Sequence, residues 1–335
     1  MILVTGATGI LGRVIVLELL KQGHKVRATK RKSSDIEEVK QSLKFYTDNF
    51  EAFFAEIDWV DVDFKDIFSL QQALAGVTEV YHCAATVSFH PGFQREMFRT
   101  NIDGTRQLLY ACEDSSVQKF CYVSSTSVLD GLNENGALDE DSFYNAKINH
   151  SNYAISKHIA EMEVWRASAE GLQTVIINPG VIIGSGNWDK SSGLIFKNLT
   201  RPYTFSGGTA YIDVRDVAKI AVELMEKEVF DERFILISEN KTFFEMSVYL
   251  RKKIGEKAPK IIPNSLLRIA SVLSFLLGWL FSLLKLANKV NTETVTTFTP
   301  ISNDKIKELI GYQFIPVEES LDFHFKNYLS DTQNK

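Results

Sequence analysis

Apolar positions along the chain fall into two rhythms. Unbroken runs such as Ile2-Leu3-Val4 read as buried strands, and 24–30, 78–83 and 119–124 read as further strands. The stretch 57–63 instead alternates apolar and acidic residues, as a strand exposed on one face does. Between these runs, helices are expected over 10–22, 36–50, 67–75, 93–113, from Tyr153 to about 170, and from about 214 to 227, with 234–237 as a last strand. Strand followed by helix, repeated, predicts an α/β fold with a parallel, doubly wound sheet.

The first strand runs into Thr5-Gly6-Ala7-Thr8-Gly9-Ile10-Leu11-Gly12. Gly6 permits a tight turn, Gly9 removes a side chain that would hold the backbone off a pyrophosphate, and Gly12 lets the new helix sit close. The helix start at Ile10 and Leu11, with Thr8 in the loop before it, turns unpaired N–H groups and a positive dipole end toward an anion. A glycine-rich turn can also be purely structural. Together with the strand–helix series it predicts a Rossmann sheet of order 3-2-1-4-5-6-7. The dinucleotide domain would span 1–181, completed by 213–237, and a smaller, mainly helical substrate lobe would be built from 182–212 and 238–330.

Composition changes the picture only by exclusion. With 335 residues, 45% hydrophobic and 24% charged, the chain can bury a large core and a second lobe. A net charge of −5 provides no basic field, so no nucleic-acid partner is expected. Cys83, Cys112 and Cys121 have no metal-ligand or redox spacing, so no metal is expected, and a reducing cytoplasm is the natural compartment. The apolar start is too short for a secretory signal. The stretch 269–284 carries no charge; as one helix it is about 24 Å long, short of the roughly 30 Å hydrocarbon core of a bilayer. Ser271, Ser274, Gly278 and Ser282 form a small-residue stripe opposite Leu273, Leu276, Leu280 and Leu284. Two readings follow: a helix packed on its own domain or a partner subunit, or one making peripheral contact with a membrane.

The candidate chemistry follows the strands. After the second strand come Lys30, Arg31, Lys32, Ser33 and Ser34, where an NAD enzyme would carry an acid. Lys30 and Arg31 suit the 2′-phosphate of NADP, Arg31 being the first candidate and a solvated charged turn the alternative. Ala84 and Ala85 permit close approach at the end of the fourth strand, where His82 reads as a packed histidine. Gly104 costs about 1 kcal/mol inside a helix and implies a tight contact. Ser125 ends a strand, where hydroxyls face the ligand crevice. Tyr153 and Lys157 are four apart on one helical face. Tyr249 and Lys253 repeat that spacing, but only Tyr153 lies inside the strand–helix series. An ammonium about 4 Å from a phenol is worth about 4 kcal/mol at an effective dielectric near 20, so Lys157 is expected to acidify Tyr153. Tyr153 would then exchange the hydroxyl proton while Ser125 holds the substrate oxygen.

Thr5-Gly6-x-x-Gly9-x-x-Gly12, Asn101-x-x-Gly104-Thr105, Tyr122-Val123-Ser124-Ser125, Tyr153-x-x-x-Lys157 and Asn178-Pro179-Gly180 resemble, in order, the motifs of the extended short-chain dehydrogenase/reductase superfamily, including its NAD-dependent epimerase/dehydratase family. The resemblance implies Ser125, Tyr153 and Lys157 as the catalytic set, Asp63 and Phe64 beside the adenine, Ala84 and Ala85 near the ribose, and Asn178, Pro179, Gly180 and Val181 around the nicotinamide. Thr86, Thr126 and Gly180 would join Ser125 and Tyr153 around the substrate. It also implies a homodimer through the helices near 93–113 and 151–170; the role of Asn101 varies in the family.

The run from Asn178 to Gly184, Arg31 and the apolar C-terminal helix look most like dihydroflavonol-reductase-like and 3β-hydroxysteroid-dehydrogenase-like members. Thr126-Ser127 stands where the superfamily's dehydratases carry Asp-Glu, which argues against dehydration. Asp213, Arg215 and Asp216 read as a capping and interlobe charge set. The expected function is an oxidoreductase using NADP, with NAD as second cofactor, on a ketone or secondary alcohol of a fairly apolar small molecule. A nucleotide-sugar epimerase with retained NAD, for which Arg201, Arg251 and Arg268 speak, and a non-catalytic NADP-binding or assembly protein are the alternatives.

Overall fold

The computed structural model describes residues 1–189, 191–277 and 281–333. Along them the strands are β1 (Ile2–Thr5), β2 (Val26–Lys30), β3 (Asp58–Asp61), β4 (Glu79–His82), β5 (Lys119–Val123), β6 (Gln173–Pro179), β7 (Val181–Ile183), β8 (Tyr203–Thr204), β9 (Gly208–Asp213), β10 (Glu232–Leu236), β11 (Glu239–Thr242) and β12 (Lys260–Ile261). The large sheet is ordered β10-β6-β5-β4-β1-β2-β3, and every neighbouring pair is parallel. This is the expected Rossmann order, with β10 as its seventh strand.

Both faces of the sheet are covered, which explains the unbroken apolar runs. Ile2 and Val4 face the helices Ile10–Lys21 and Val214–Glu226; Leu3, between them, faces the helices Gly104–Glu113 and Asn152–Ala169. Each large apolar side chain so buried contributes about 1.5–3 kcal/mol. Helix Ile10–Lys21 packs on the sheet and along helix Val214–Glu226, and so is apolar nearly all round.

The chain departs from the sequence pattern in four places. The helix expected over 36–50 is two, Ile36–Leu43 and Phe50–Ala55, because Thr47, Asp48 and Asn49 favour a turn over continued helix. The strand expected over 57–63 covers only Asp58–Asp61, with Asp63 and Phe64 beyond it. The helix expected over 93–113 is divided by a π-helical turn, Arg99–Asp103, between Gln94–Phe98 and Gly104–Glu113. The helix expected over 269–284 runs over Asn264–Leu277 instead, and Ser282–Ala287 forms a 3₁₀ turn. Gly278 and Leu280 of the small-residue and leucine stripes lie outside the described residues, among which no helix is long and apolar enough to cross a membrane.

The C-terminal region adds a sheet ordered β11-β9-β7, the β12-β8 pair, and the helices Phe243–Lys253, Lys289–Thr296, Asp304–Ile310 and Val317–Gln333. The last helix buries Val317, Leu321 and Phe325 against Trp188, Phe196, Tyr211 and Met246.

Candidate active site

The glycine loop folds as its residues require. Gly6 has φ +64°, and a Cβ there would lie 2.6 Å from the Ala84 nitrogen, so the loop rests directly on the chain leaving β4. A Cβ at Gly12 would strike the Gly6 carbonyl oxygen, which makes loop and helix inseparable. The helix starts at Gly9 with no side-chain cap and no acid in its first turn, leaving its N–H groups to an anion. The donor set and the glycine cradle fit a dinucleotide pyrophosphate.

Behind the loop is a residue that reading the sequence missed. Arg13, 1% exposed, donates from Nε to the Gly9 carbonyl (3.1 Å) and from Nη2 to that of Thr8 (2.5 Å). Its Nη1 reaches Ser42 Oγ (2.5 Å), and both Nη atoms reach the Glu38 carboxylate (2.9 and 2.8 Å). Glu38 also accepts from the Asn187 amide (2.9 Å), tying the loop to the segment after β7. A lone arginine in the run Ile10-Leu11-Gly12-Arg13-Val14-Ile15 was the available signal, since a buried guanidinium needs a partner.

At the end of β2 the two basic candidates separate. Lys30 Nζ sits 2.5 Å from Asp61 Oδ1 on β3, so Lys30 braces the sheet edge rather than offering a free cation. Arg31 is exposed; its amide donates to Ser34 Oγ (3.1 Å), and its guanidinium has no partner among the described residues. Asp63 caps the amide of Lys65 (3.0 Å). Phe64 explains Gly104, where a Cβ would lie 3.3 Å from the Phe64 Cβ. His82 is sealed between Thr5 Oγ1 (2.6 Å) and Thr105 Oγ1 (2.9 Å), and burial lowers its pKa to about 3. It is a packed, neutral histidine.

Asn101 lies on the π-helical turn and is 1% exposed. Its Oδ1 accepts from the Thr86 amide (2.7 Å), while Nδ2 donates to the Thr86 carbonyl (3.0 Å) and to Ser156 Oγ (2.9 Å). Through it the loop carrying Ala84, Ala85 and Thr86 is clamped to the helix bearing Tyr153. A π turn aims one side chain where an α-helix would not.

Helix Asn152–Ala169 begins at Ser151, whose Oγ accepts from the Ala154 amide (3.1 Å). Tyr153, Lys157 and Glu161 follow at intervals of four on one face. Burial pushes the Tyr153 phenol above its ordinary pKa, and a hydrogen bond with the Ser125 side chain pulls it back. Ser125 itself caps a short 3₁₀ turn, Thr126–Val128, through the Ser127 amide (3.2 Å). Lys157 is 2% exposed, donates from Nζ to the Val123 carbonyl (2.5 Å) and lies 4.4 Å from the centre of the Tyr122 ring. Burial lowers its pKa to about 7, opposed chiefly by Glu161. The expected acidification of Tyr153 by Lys157 is therefore not what this geometry produces. Counting only the attraction between charges left out desolvation, which favours the neutral form of both groups.

Glu161, unremarked in the sequence, is 1% exposed and joins three strands: it accepts from Ser124 Oγ (2.5 Å) after β5, Asn178 Nδ2 (3.1 Å) on β6 and Arg233 Nη1 (3.3 Å) on β10. Asn178 is fully buried and also donates to the Ser125 carbonyl (3.1 Å). Pro179 is buried beside it; Gly180, where a Cβ would lie 2.5 Å from the Ala210 carbonyl oxygen, and the exposed Val181 follow. Thr126 is half-buried next to Ser125.

Two look-alikes are set apart. Tyr249 and Lys253 both bind the Asp322 carboxylate (2.9 and 2.8 Å), an ion-pair cluster on the C-terminal region. Ser185 Oγ, His324 Nδ1 (2.7 Å), His324 Nε2 and Asp213 Oδ2 (3.2 Å) line up like a hydrolase triad, but all three side chains are fully buried. They join the two parts of the chain. Asp213 caps helix Val214–Glu226 and also binds Arg215 (2.9 and 2.7 Å) and Ser320 (2.7 Å). Asp216 binds Tyr312 (3.0 Å) and the Ile315 amide (2.8 Å), so this charge set does cap and join.

Residues 2–236 match the NAD dependent epimerase/dehydratase family. Sterol demethylase protein B of Methylococcus capsulatus is 30% identical over 79% of this chain and 78% of its own length. A putative dihydroflavonol 4-reductase of Synechocystis is 31% identical over 77% of this chain and 73% of its own. The crystal structure of gox2253 superposes with a TM-score of 0.82 at 25% identity, covering 99% of this chain and 98% of that one. Strand order, glycine loop and family match agree: the chain belongs to the NAD dependent epimerase/dehydratase family.

Proposed function

We propose that the protein is an NADP(H)-dependent oxidoreductase acting on a ketone or secondary alcohol of a fairly apolar small molecule. The observation that carries this reading is the Tyr153 phenol beside the Ser125 side chain, with Lys157 one helical turn on and the glycine loop packed against the chain after β4. The dinucleotide, when bound, supplies or accepts the hydride. Ser125 holds the carbonyl oxygen with its hydroxyl, and Tyr153 donates the proton that turns that oxygen into a hydroxyl. A phenol raised above its ordinary pKa is protonated at neutral pH, which suits carbonyl reduction; alcohol oxidation needs the phenolate and is favoured at alkaline pH.

The sugar-diphosphate alternative loses one of its supports. Arg251 is buried and donates to the carbonyls of Lys257 (2.6 Å) and Thr200 (2.5 Å), so it is a packing residue.

The test follows NADPH oxidation against a panel of apolar ketones and NADP reduction against the matching alcohols. Tyr153→Phe should lower kcat about 10²–10⁴-fold with little change in NADPH affinity. Undiminished turnover in that variant removes the mechanism, and interconversion of UDP-sugars with retained NAD replaces the reading with an epimerase.

A further inference from the structure

Helix Asn264–Leu277 is packed the opposite way from an ordinary surface helix. It buries Ser274, half-covers Ala270 and Ser271, and leaves Leu266, Ile269, Val272, Leu273, Phe275 and Leu276 exposed, Phe275 at 87%. Phe281 and Leu286, in the segment that follows, are exposed as well. Ala270, Ser271 and Ser274 thus face the body and the large apolar residues of the helix face out, so the folded chain leaves an apolar face uncovered. The segment is anchored at both ends. Ser206 Oγ donates to Asn264 Oδ1 (2.8 Å), and Asn291 Nδ2 donates to the Leu286 and Phe89 carbonyls (2.9 and 3.0 Å).

The surrounding charge says what covers this face. Between residues 251 and 290, eight basic side chains stand against one acid, Glu256, a net of +7 in a chain of net −5. Arg251 and Glu256 satisfy each other, and Lys253 pairs with Asp322. Lys252, Lys257, Lys260, Arg268 and Lys285 have no ion-pair partner among the described residues. Apolar side chains flanked along the chain by unpaired cations match the boundary of an anionic bilayer, where apolar groups enter the acyl edge and ammonium and guanidinium groups meet phosphates. A second copy of the chain would bring the same cations face to face in an isologous contact. At 14 residues the helix is about 21 Å long and lies on the surface rather than crossing it.

We propose that the face formed by Asn264–Leu277, with Phe281 and Leu286, docks on an anionic lipid bilayer. The full chain is floated with vesicles of phosphatidylcholine alone and of phosphatidylcholine mixed with phosphatidylglycerol. It should float with the mixed vesicles, weakly with the neutral ones, and less as salt is raised. Phe275→Asp should lower the partition coefficient about tenfold or more, and Arg268→Glu with Lys285→Glu should abolish the preference for anionic lipid. Phe275 and Arg268 are exposed and Lys285 is half-buried, and an unchanged melting temperature in each variant shows that folding is intact. Three results overturn the proposal: no flotation with the mixed vesicles, flotation that the variants leave unchanged, or a concentration-dependent dimer that Phe275→Asp dissolves. The face is separate from the chemistry at Tyr153, so vesicle binding and NADPH oxidation succeed or fail independently.

Discussion

Arg31 is held only by its backbone, since its amide meets Ser34 while the guanidinium projects unpaired from the end of β2. Its neighbour Lys30 pairs with Asp61, so on the proposed NADP reading the discrimination that a basic pair was expected to share would fall to one side chain. A bidentate guanidinium–phosphate contact is worth more than a neutral hydrogen bond. Arg31→Ala should therefore raise the NADPH dissociation constant about tenfold or more and leave that of NADH nearly unchanged, as read by fluorescence titration of both nucleotides. Equal changes would make Arg31 a solvated loop residue. The cysteines take no part at this scale: burial pushes Cys83 and Cys112 up to about 12 and Cys121 well above its ordinary value, so all three remain neutral thiols.

At the scale of an element, helix Asn152–Ala169 carries a column of function and support, Tyr153, Lys157 and Glu161, each one turn below the last. The groups bearing on Lys157 are the Cys83 thiol after β4, the Tyr122 ring and Val123 carbonyl of β5, and Glu161 on its own helix; His82 feels its charge in return. Glu161 is the nearby anion that resists the effect of burial. Glu161→Gln keeps the shape but removes the charge, so Lys157 should lose its proton at a lower pH. The alkaline limb of the kcat/KM profile for reduction should move to lower pH, and stability in urea should fall by about 1–3 kcal/mol. A purely structural Glu161 would lower stability without moving the limb. Local spacing predicted this helix and its first two members. It could not predict the third, because the significance of Glu161 comes from Arg233, 72 residues away.

In the whole molecule, the C-terminal helix Val317–Gln333 is latched to the Rossmann part through buried polar groups. Asp213 is the centre of that latch. Burial alone would raise its carboxyl pKa, but Arg215 and His324 hold it well below the ordinary value. A depressed folded pKa means that its stabilisation is present above the ordinary carboxylate range and is lost as pH falls through and below it. Asp213→Asn should cost about 3 kcal/mol near neutral pH, and the gap to wild type should narrow as pH falls, measured by urea unfolding at several pH values. Asp216, which burial pushes up to about 6, works in the opposite sense: its contribution is lost as pH rises through that value.

The sequence by itself determined the strand–helix rhythm, the sheet built from it, the glycine loop, and Ser125, Tyr153 and Lys157 as the candidate set. The rhythm and the glycine loop follow from spacing within a few residues, where backbone geometry leaves little freedom; the candidate set rests on its place in the strand–helix series and on the family resemblance. Only the tertiary structure decided that Lys30 pairs with Asp61 while Arg31 has no partner among the described residues, that Asn178 is buried against Ser125 and Glu161, and that Arg13 and Glu161 hold the site from behind. It also decided that helix Asn264–Leu277 turns Ser271 and Ser274 inward and Leu273, Phe275 and Leu276 out. The physical reason is common to all of them. Solvent exposure, and therefore desolvation and the need for a partner, is set by residues distant in the chain, as with Ser185 and His324, 139 apart. Neither quantity exists until the chain has closed on itself.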